Sequence, residues 1–275
     1  MPNTRILVVY DPTTEAQPAL ARAAALAESA ADSDVELHVY SCIYSDPRKS
    51  EGQSGGKEEL IAAQEEIVKN AVSSLGEKGV DVAIEIEWDK DWYQAVVRAA
   101  DRIKADAVFK SSHKHSATQR LLKPTSDRTL LRQCACPVLL VKRDAEVVGQ
   151  NRIILAAVQF RGEDGAYEKL NQKILDFCHR SLATDAAKVH FINAYTDLSN
   201  RPDKGQLVRA CGVPGDQVHV KMGETDDIIV DFARELDASM VVIGNSSRTG
   251  LSALINTNTA EKILDKLDCD LLAMP

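Results

Sequence analysis

Apolar residues fall into short β-branched runs separated by longer stretches with helical spacing. Arg5–Tyr10 is a compact apolar run of the kind buried on both faces of a parallel sheet. Asp11-Pro12-Thr13-Thr14 breaks it and offers helix caps, and Pro18–Ala31 then places Leu20, Ala23, Leu26 and Ala27 at helical spacing. Val35–Tyr44 predicts a second strand. The polar, glycine-bearing Ser45–Lys57 leads into a long helix from Glu58 to Lys78, with Leu60, Ile67, Ala71 and Leu75 along one side. Val82–Trp88 alternates as a strand, Asp91–Lys104 is helical, and Ala107–Lys110 is a strand. Pro124–Gln133 reads as a helix and Pro137–Lys142 as a last buried strand. The order β-α-β-α-β-α-β-α-β implies a mainly parallel, five-stranded sheet covered by helices on both faces.

The charged stretch Arg143–Asn151 reads as a linker, and after it the pattern restarts. Arg152–Val158, Val189–Tyr195, Val218–Met222, Met240–Gly244 and Leu271–Met274 read as strands. Tyr167–Leu182, Asp226–Leu236 and Thr259–Leu267 read as helices, while the second long helix shrinks to about Gln206–Cys211. A shift of 133 residues lays Ala105–Lys142 on Ala238–Pro275 without a gap, bringing Val108 onto Val241, Leu131 onto Leu264 and Cys136 onto Cys269. Ungapped agreement over a strand-loop-helix-strand block is the mark of an internal duplication. Two α/β domains are expected, residues 1–146 and 147–275.

Composition adds bounds rather than chemistry. The 275 residues include 44% hydrophobic and 27% charged side chains, with a net charge of −8 shared equally by the two halves. That balance argues against a specific nucleic-acid partner. No apolar run reaches the ~20 residues of a membrane span, and the apolar start is too short for a signal peptide. A cytoplasmic chain is the expectation. Its six cysteines sit mostly among apolar neighbours, as reduced core thiols do.

Open parallel sheets bind ligands beyond the carboxyl ends of their strands, where chain order reverses. In the first half this selects Asp11-Pro12-Thr13 and Ser111-Ser112-His113-Lys114. In the second it selects Gln159-Phe160-Arg161 and Gly244-Asn245-Ser246-Ser247-Arg248-Thr249-Gly250. With the following helix and the Cys-Pro-Val-Leu-Leu-Val strand, the chain resembles the universal stress protein family (adenine-nucleotide alpha-hydrolase-like, Rossmann-like), in particular its tandem, UspE-like members. The resemblance implies two such domains packed as a pseudo-dimer through their final strands, and a stress-response role. In the family's ATP-binding branch the pattern is Gly-x-x-Gly, nine residues, then Gly-Ser/Thr, with an Asp ending the first strand. Those glycines let backbone N–H groups cradle phosphates.

Carried over by position, the pattern is partly met. Asp11 is present, but Ser111, Lys114 and Pro124 stand at the three glycine positions and only Thr125 keeps the hydroxyl. In the second half Gly244 matches, Ser247 and Thr257 replace the other glycines, Asn258 replaces the hydroxyl residue, and Gln159 replaces the Asp. Cβ atoms and a proline ring obstruct close backbone approach to phosphate. The nucleotide sites are therefore expected to be degenerate. No cofactor is required, and ATP or AMP, if bound, belongs to the second domain near Gly244–Ser247 and Asn258, with Gly250 adding flexibility.

Other candidates have plainer readings beside functional ones. Lys104–Arg143 carries nine Lys/Arg against Asp106 and Asp127. Lys110, Lys114, Arg120 and Lys123 could form an anion site, or simply a solvated helix face. His113, His115, Cys134 and Cys136 are metal-ligand types without metal-site spacing. Glu85, Glu87, Asp89 and Asp91 around Trp88 and Trp92 could do acid/base work, or be surface charge. Asp226-Asp227 answers a helix dipole. With no nucleophile elbow, complete P-loop or His-Glu metal helix in the sequence, a non-enzymatic protein that binds a small-molecule ligand or a protein partner is expected. A carrier of a larger anionic or partly apolar molecule, and a weak ATP binder with slow ATPase activity, are the alternatives. A homodimer stays open.

Overall fold

The structure is a computed structural model and describes residues 4–30, 35–44, 56–112, 126–142, 152–160, 167–183, 187–245 and 259–275. The described residues fall into two compact units, those up to 142 in the first and those from 152 on in the second. The first holds β1 (Thr4–Val9), α1 (Pro18–Ser29), β2 (Val35–Ile43), α2 (Lys57–Glu77), β3 (Asp81–Trp88), α3 (Trp92–Ile103), β4 (Ala107–Ser111), α4 (Ser126–Gln133) and β5 (Val138–Val141). Its strands lie in the order β3-β2-β1-β4-β5, all parallel. The second holds β6 (Arg152–Ala157), α5 (Glu168–Ala183), β7 (Ala187–Tyr195), α6 (Lys204–Cys211), β8 (Val218–Met222), α7 (Thr225–Glu235), β9 (Met240–Gly244), α8 (Thr259–Leu264) and β10 (Asp270–Met274). Its order, β10-β9-β6-β7-β8, repeats the first with parallel neighbours throughout.

Central strands such as β1, with Ile6 to Val9 buried, and β9, with Met240 to Ile243 buried, are apolar on both faces because helices cover both. α1 starts at Pro18, whose missing N–H is one of the groups a helix N-terminus leaves unused anyway. Where the sheet order reverses, β1 and β4 end side by side, as do β6 and β9, with Ile6 opposite Ala107 and Ile154 opposite Met240.

The 133-residue register holds in backbone detail. Lys104 and Asp237 are the positive-φ non-glycine residues of the described chain, at 52° and 48°, and each ends a helix at the matching place. The next amides, Ala105 and Ala238, donate to Ala100 and Ala233 oxygens at 2.9 and 2.8 Å, closing the same helix-terminating bond twice. Two details depart from expectation. On α2 the buried stripe is Gln64, Val68, Val72 and Leu75, while Ile67 is exposed; the helix is rotated so that Gln64 reaches Ser41 on β2. α8 stops at Leu264, short of the expected Leu267, and the Ile263 carbonyl accepts from both the Lys266 and the Leu267 N–H.

Candidate functional site

At the carboxyl end of β4 the first unit places charge where a phosphate cradle would begin. Lys110 is buried, and its ammonium lies 2.8 Å from Asp127 Oδ1 and 2.8 Å from the Ser111 carbonyl. Ser112 Oγ donates to the other carboxylate oxygen of Asp127 at 2.6 Å, and the Trp92 ring stands 6.0 Å from the ammonium. The Ser111 hydroxyl accepts the Ala19 N–H at 3.2 Å, filling one of the orphan donors at the start of α1. Buried and paired in this way, Lys110 belongs neither to a solvated helix face nor to an open anion site. Its charge is neutralised internally, and a buried pair of this kind is held by the surrounding hydrogen bonds as much as by attraction.

The equivalent end of β9 is uncharged, since Ile243 stands where Lys110 does. The backbone path is the same: Asn245 N–H donates to Met274 O at 2.7 Å, as Ser112 N–H does to Val141 O at 2.8 Å. At Gly244 the room left by the missing side chain is taken up by Leu170 of α5; a Cβ there would lie 2.6 Å from Leu170 Cγ and nearer still to Cδ2. The glycine therefore has a packing reason of its own.

The first-strand ends carry a device that sequence reading missed. Gln17 Oε1 accepts from Asp11 N–H at 3.0 Å, and its Nε2 donates to the Asp11 carbonyl at 2.7 Å. In the second unit Asn171 does the same to Gln159, accepting at 3.1 Å and donating at 2.8 Å. One carboxamide thus mimics a neighbouring strand at both loops. Asp11 Oδ1 accepts from the Thr13 N–H and hydroxyl at 2.9 and 2.6 Å, folding the Asp11-Pro12-Thr13 turn around its own carboxylate. The only sequence signal for the clasp was an amide side chain near each helix start.

Beyond β6 and β7 lies a cavity of about 340 Å³, lined by Phe160, Asn200, Arg201, Asp203, Gln206 and Leu207 among others. It sits where α6, of 8 residues, replaces the 21-residue α2 of the first unit.

The remaining candidates resolve into structure. Arg98 pairs with Glu87 and Asp89, and Arg102 with Glu85 and Glu87, while Tyr40 donates to Glu87 at 2.8 Å. Burial, reinforced by Glu87, pushes the Tyr40 hydroxyl well above the usual phenol range. Asp226 and Asp227 share Lys266, 2.7 Å from each, and that bond draws the Asp226 carboxyl below its ordinary value. All six cysteines are free thiols; a hydrogen bond between Cys134 and Cys136 raises the first and lowers the second. In the second unit His190 Nδ1 and His219 Nε2 are 3.0 Å apart, with His219 against Phe232 at 4.4 Å between ring centroids. Burial drives both imidazoles down, His219 to about 4. His113, Lys114, His115, Arg120, Lys123, Thr125, Arg161, Ser247, Gly250 and Asn258 lie outside the described residues.

Known proteins share this architecture along the whole chain. The model of the universal stress protein family matches residues 2–142 and 171–275. The universal stress protein E homolog of Haemophilus influenzae is 29% identical over 300 residues, covering 98% of this chain and 96% of that protein. Universal stress protein E of Escherichia coli K12 is 26% identical over 295 residues, covering 98% and 93%. Among solved structures, a putative universal stress protein from Pseudomonas aeruginosa UCBPP-PA14 superposes with a TM-score of 0.78 at 25% identity, covering 99% of this chain and 93% of that one. One from Archaeoglobus fulgidus gives 0.73 at 14% identity, which speaks for the fold.

Proposed function

The chain belongs to the universal stress protein family, and from that premise we propose that its stress-response role is exerted by binding, without catalysis, and without a phosphate cradle in the first unit. The observation that carries this is the filled end of β4. A ligand phosphate there would have to displace the Ser111 hydroxyl from Ala19 N–H and break a buried Lys110–Asp127 pair. Removing one partner of such a pair leaves an uncompensated buried charge, at about 3–5 kcal/mol. The second unit, with Gly244 and Asn245 at the matching point, is the place left for ATP or AMP, and the Leu170 contact argues for weak affinity there.

Titration of the full chain with magnesium ATP and with AMP tests the reading. No saturation is expected below about 1 mM, the range of a few weak contacts. A Kd of about 10 µM or tighter, or sustained phosphate release abolished by Asp11→Ala, would overturn it. A second reading, carriage of a small molecule, is favoured by the cavity beside Phe160.

A further inference from the structure

The second unit leaves open a space that the first fills with helix. Tyr10 N–H donates to Tyr40 O at 2.8 Å, and Val158 N–H to Ile192 O at 3.0 Å, so the residues that follow those acceptors, Ser41 and Asn193, hold equivalent places. Ser41 faces α2 and accepts from Gln64 Nε2 at 3.2 Å. Asn193 faces the same side, but α6 is too short to supply a counterpart of Gln64. Its amide nitrogen is buried, the residue only 4% exposed, and has no hydrogen-bond partner among the described residues. Buried donors are nearly always paired, so this one calls for an acceptor.

The cavity lies on that same side. Ala157 is opposite Ile192, and continuing the register brings Val158 beside Asn193 and Phe160 beside Tyr195. Asn193 is therefore one strand repeat, about 7 Å, below the level of Phe160. Asp203 Oδ1 accepts from Gln206 N–H at 2.6 Å and Asp197 Oδ1 from Ser199 N–H at 2.8 Å, so both carboxylates cap local backbone amides. The exposed Arg201 guanidinium makes no ion pair among the described residues. It is therefore free to meet an anion, while Phe160 and Leu207 offer apolar walls. About 340 Å³ is at the small end of ligand pockets.

We propose that this recess binds a small, flat, anionic molecule. Its ring packs against Phe160 and Leu207, its acidic group meets Arg201, and its inner edge, directly or through a water, gives Asn193 the acceptor it lacks. The site is separate from the positions that correspond to the family's phosphate loop. It deepens the binding role proposed above by naming a ligand class for the second unit.

The test uses the full chain and 8-anilino-1-naphthalenesulfonate, a flat aromatic anion whose fluorescence rises on burial. Saturable binding is expected with a Kd below about 100 µM, and roughly tenfold weaker binding of N-phenyl-1-naphthylamine, its uncharged counterpart. Arg201→Gln should weaken the sulfonate about fivefold or more, the scale of a lost charged hydrogen bond, and Phe160→Ala should do likewise. Lys69→Gln, an equal charge change on α2, should leave it unchanged. Arg201 is exposed, so its variant reports even if Phe160→Ala fails to fold. Absence of saturation, or binding indifferent to Arg201→Gln, would overturn the site and assign the dye to exposed apolar residues such as Leu198 or Met222. Tight ATP binding would instead remove the proposed cradle-free role and leave the dye result standing, so the two failures are distinguishable.

Discussion

Gly244 and Ser111 stand at one point of the repeated fold, and each is explained by a neighbour from the first helix of its unit. Leu170 presses into the space above Gly244, whereas Ser111 reaches Ala19. Interiors tolerate added carbon poorly, so Gly244→Ala is expected to lower stability by about 1–3 kcal/mol, read as an earlier urea midpoint at constant slope. Leu170→Ala added to it should recover part of the loss, a coupling that separates packing from a ligand role. From sequence, Gly244 could be placed but not explained, since Leu170 meets it only through the tertiary fold. Lys110 was harder still. A lysine in a basic stretch reads as solvated, and only the approach of Asp127 from α4 makes its burial tolerable.

Elements were more legible than sites, because strands buried on both faces and alanine-rich helices write their periods plainly into the chain. β8 and β9 fall on the predicted residues, and the shortening of α6 was visible from Asn200-Arg201-Pro202 and the few apolar positions after it. The face of α2 was misjudged because Gln64, polar by type, belongs to the buried stripe through its bond to Ser41. The Gln17 and Asn171 clasps were not legible, as each depends on a side chain returning to the backbone of another element. They make a prediction at this scale. Gln17→Leu should speed hydrogen exchange at the Asp11 amide about tenfold, the equivalent of one lost hydrogen bond of ~1.4 kcal/mol, and leave the Gln159 amide unchanged. Asn171→Leu should do the reverse. Equal acceleration at both amides would mean that the clasps are incidental.

At the scale of the whole molecule, duplication has left two units with the same strand order and different sensitivities to acid. The His190–His219 pair exists only in the second, with Asp216, Lys188, Lys204 and Lys221 as the charges acting on it. Burial disfavours the charged imidazole, so His219 falls to about 4 from an ordinary value near 6.5. The sign follows: between those values the unfolded chain takes up a proton that the folded unit refuses. Stability of the second unit is therefore full above about pH 6.5, declines as pH falls toward 4, and loses nothing further from this group below that. Both tryptophans, Trp88 and Trp92, lie in the first unit, so their fluorescence follows that unit alone while far-ultraviolet circular dichroism follows both. At pH 7.5 the two probes should give similar urea midpoints. At pH 5 the dichroism should begin to fall at lower urea than the fluorescence, since coincidence of probes is lost once one unit melts first. His219→Gln, which keeps a hydrogen-bonding side chain but cannot take up the proton, should shrink that separation. A separation that stays the same in the variant would place the acid-sensitive group elsewhere in the second unit.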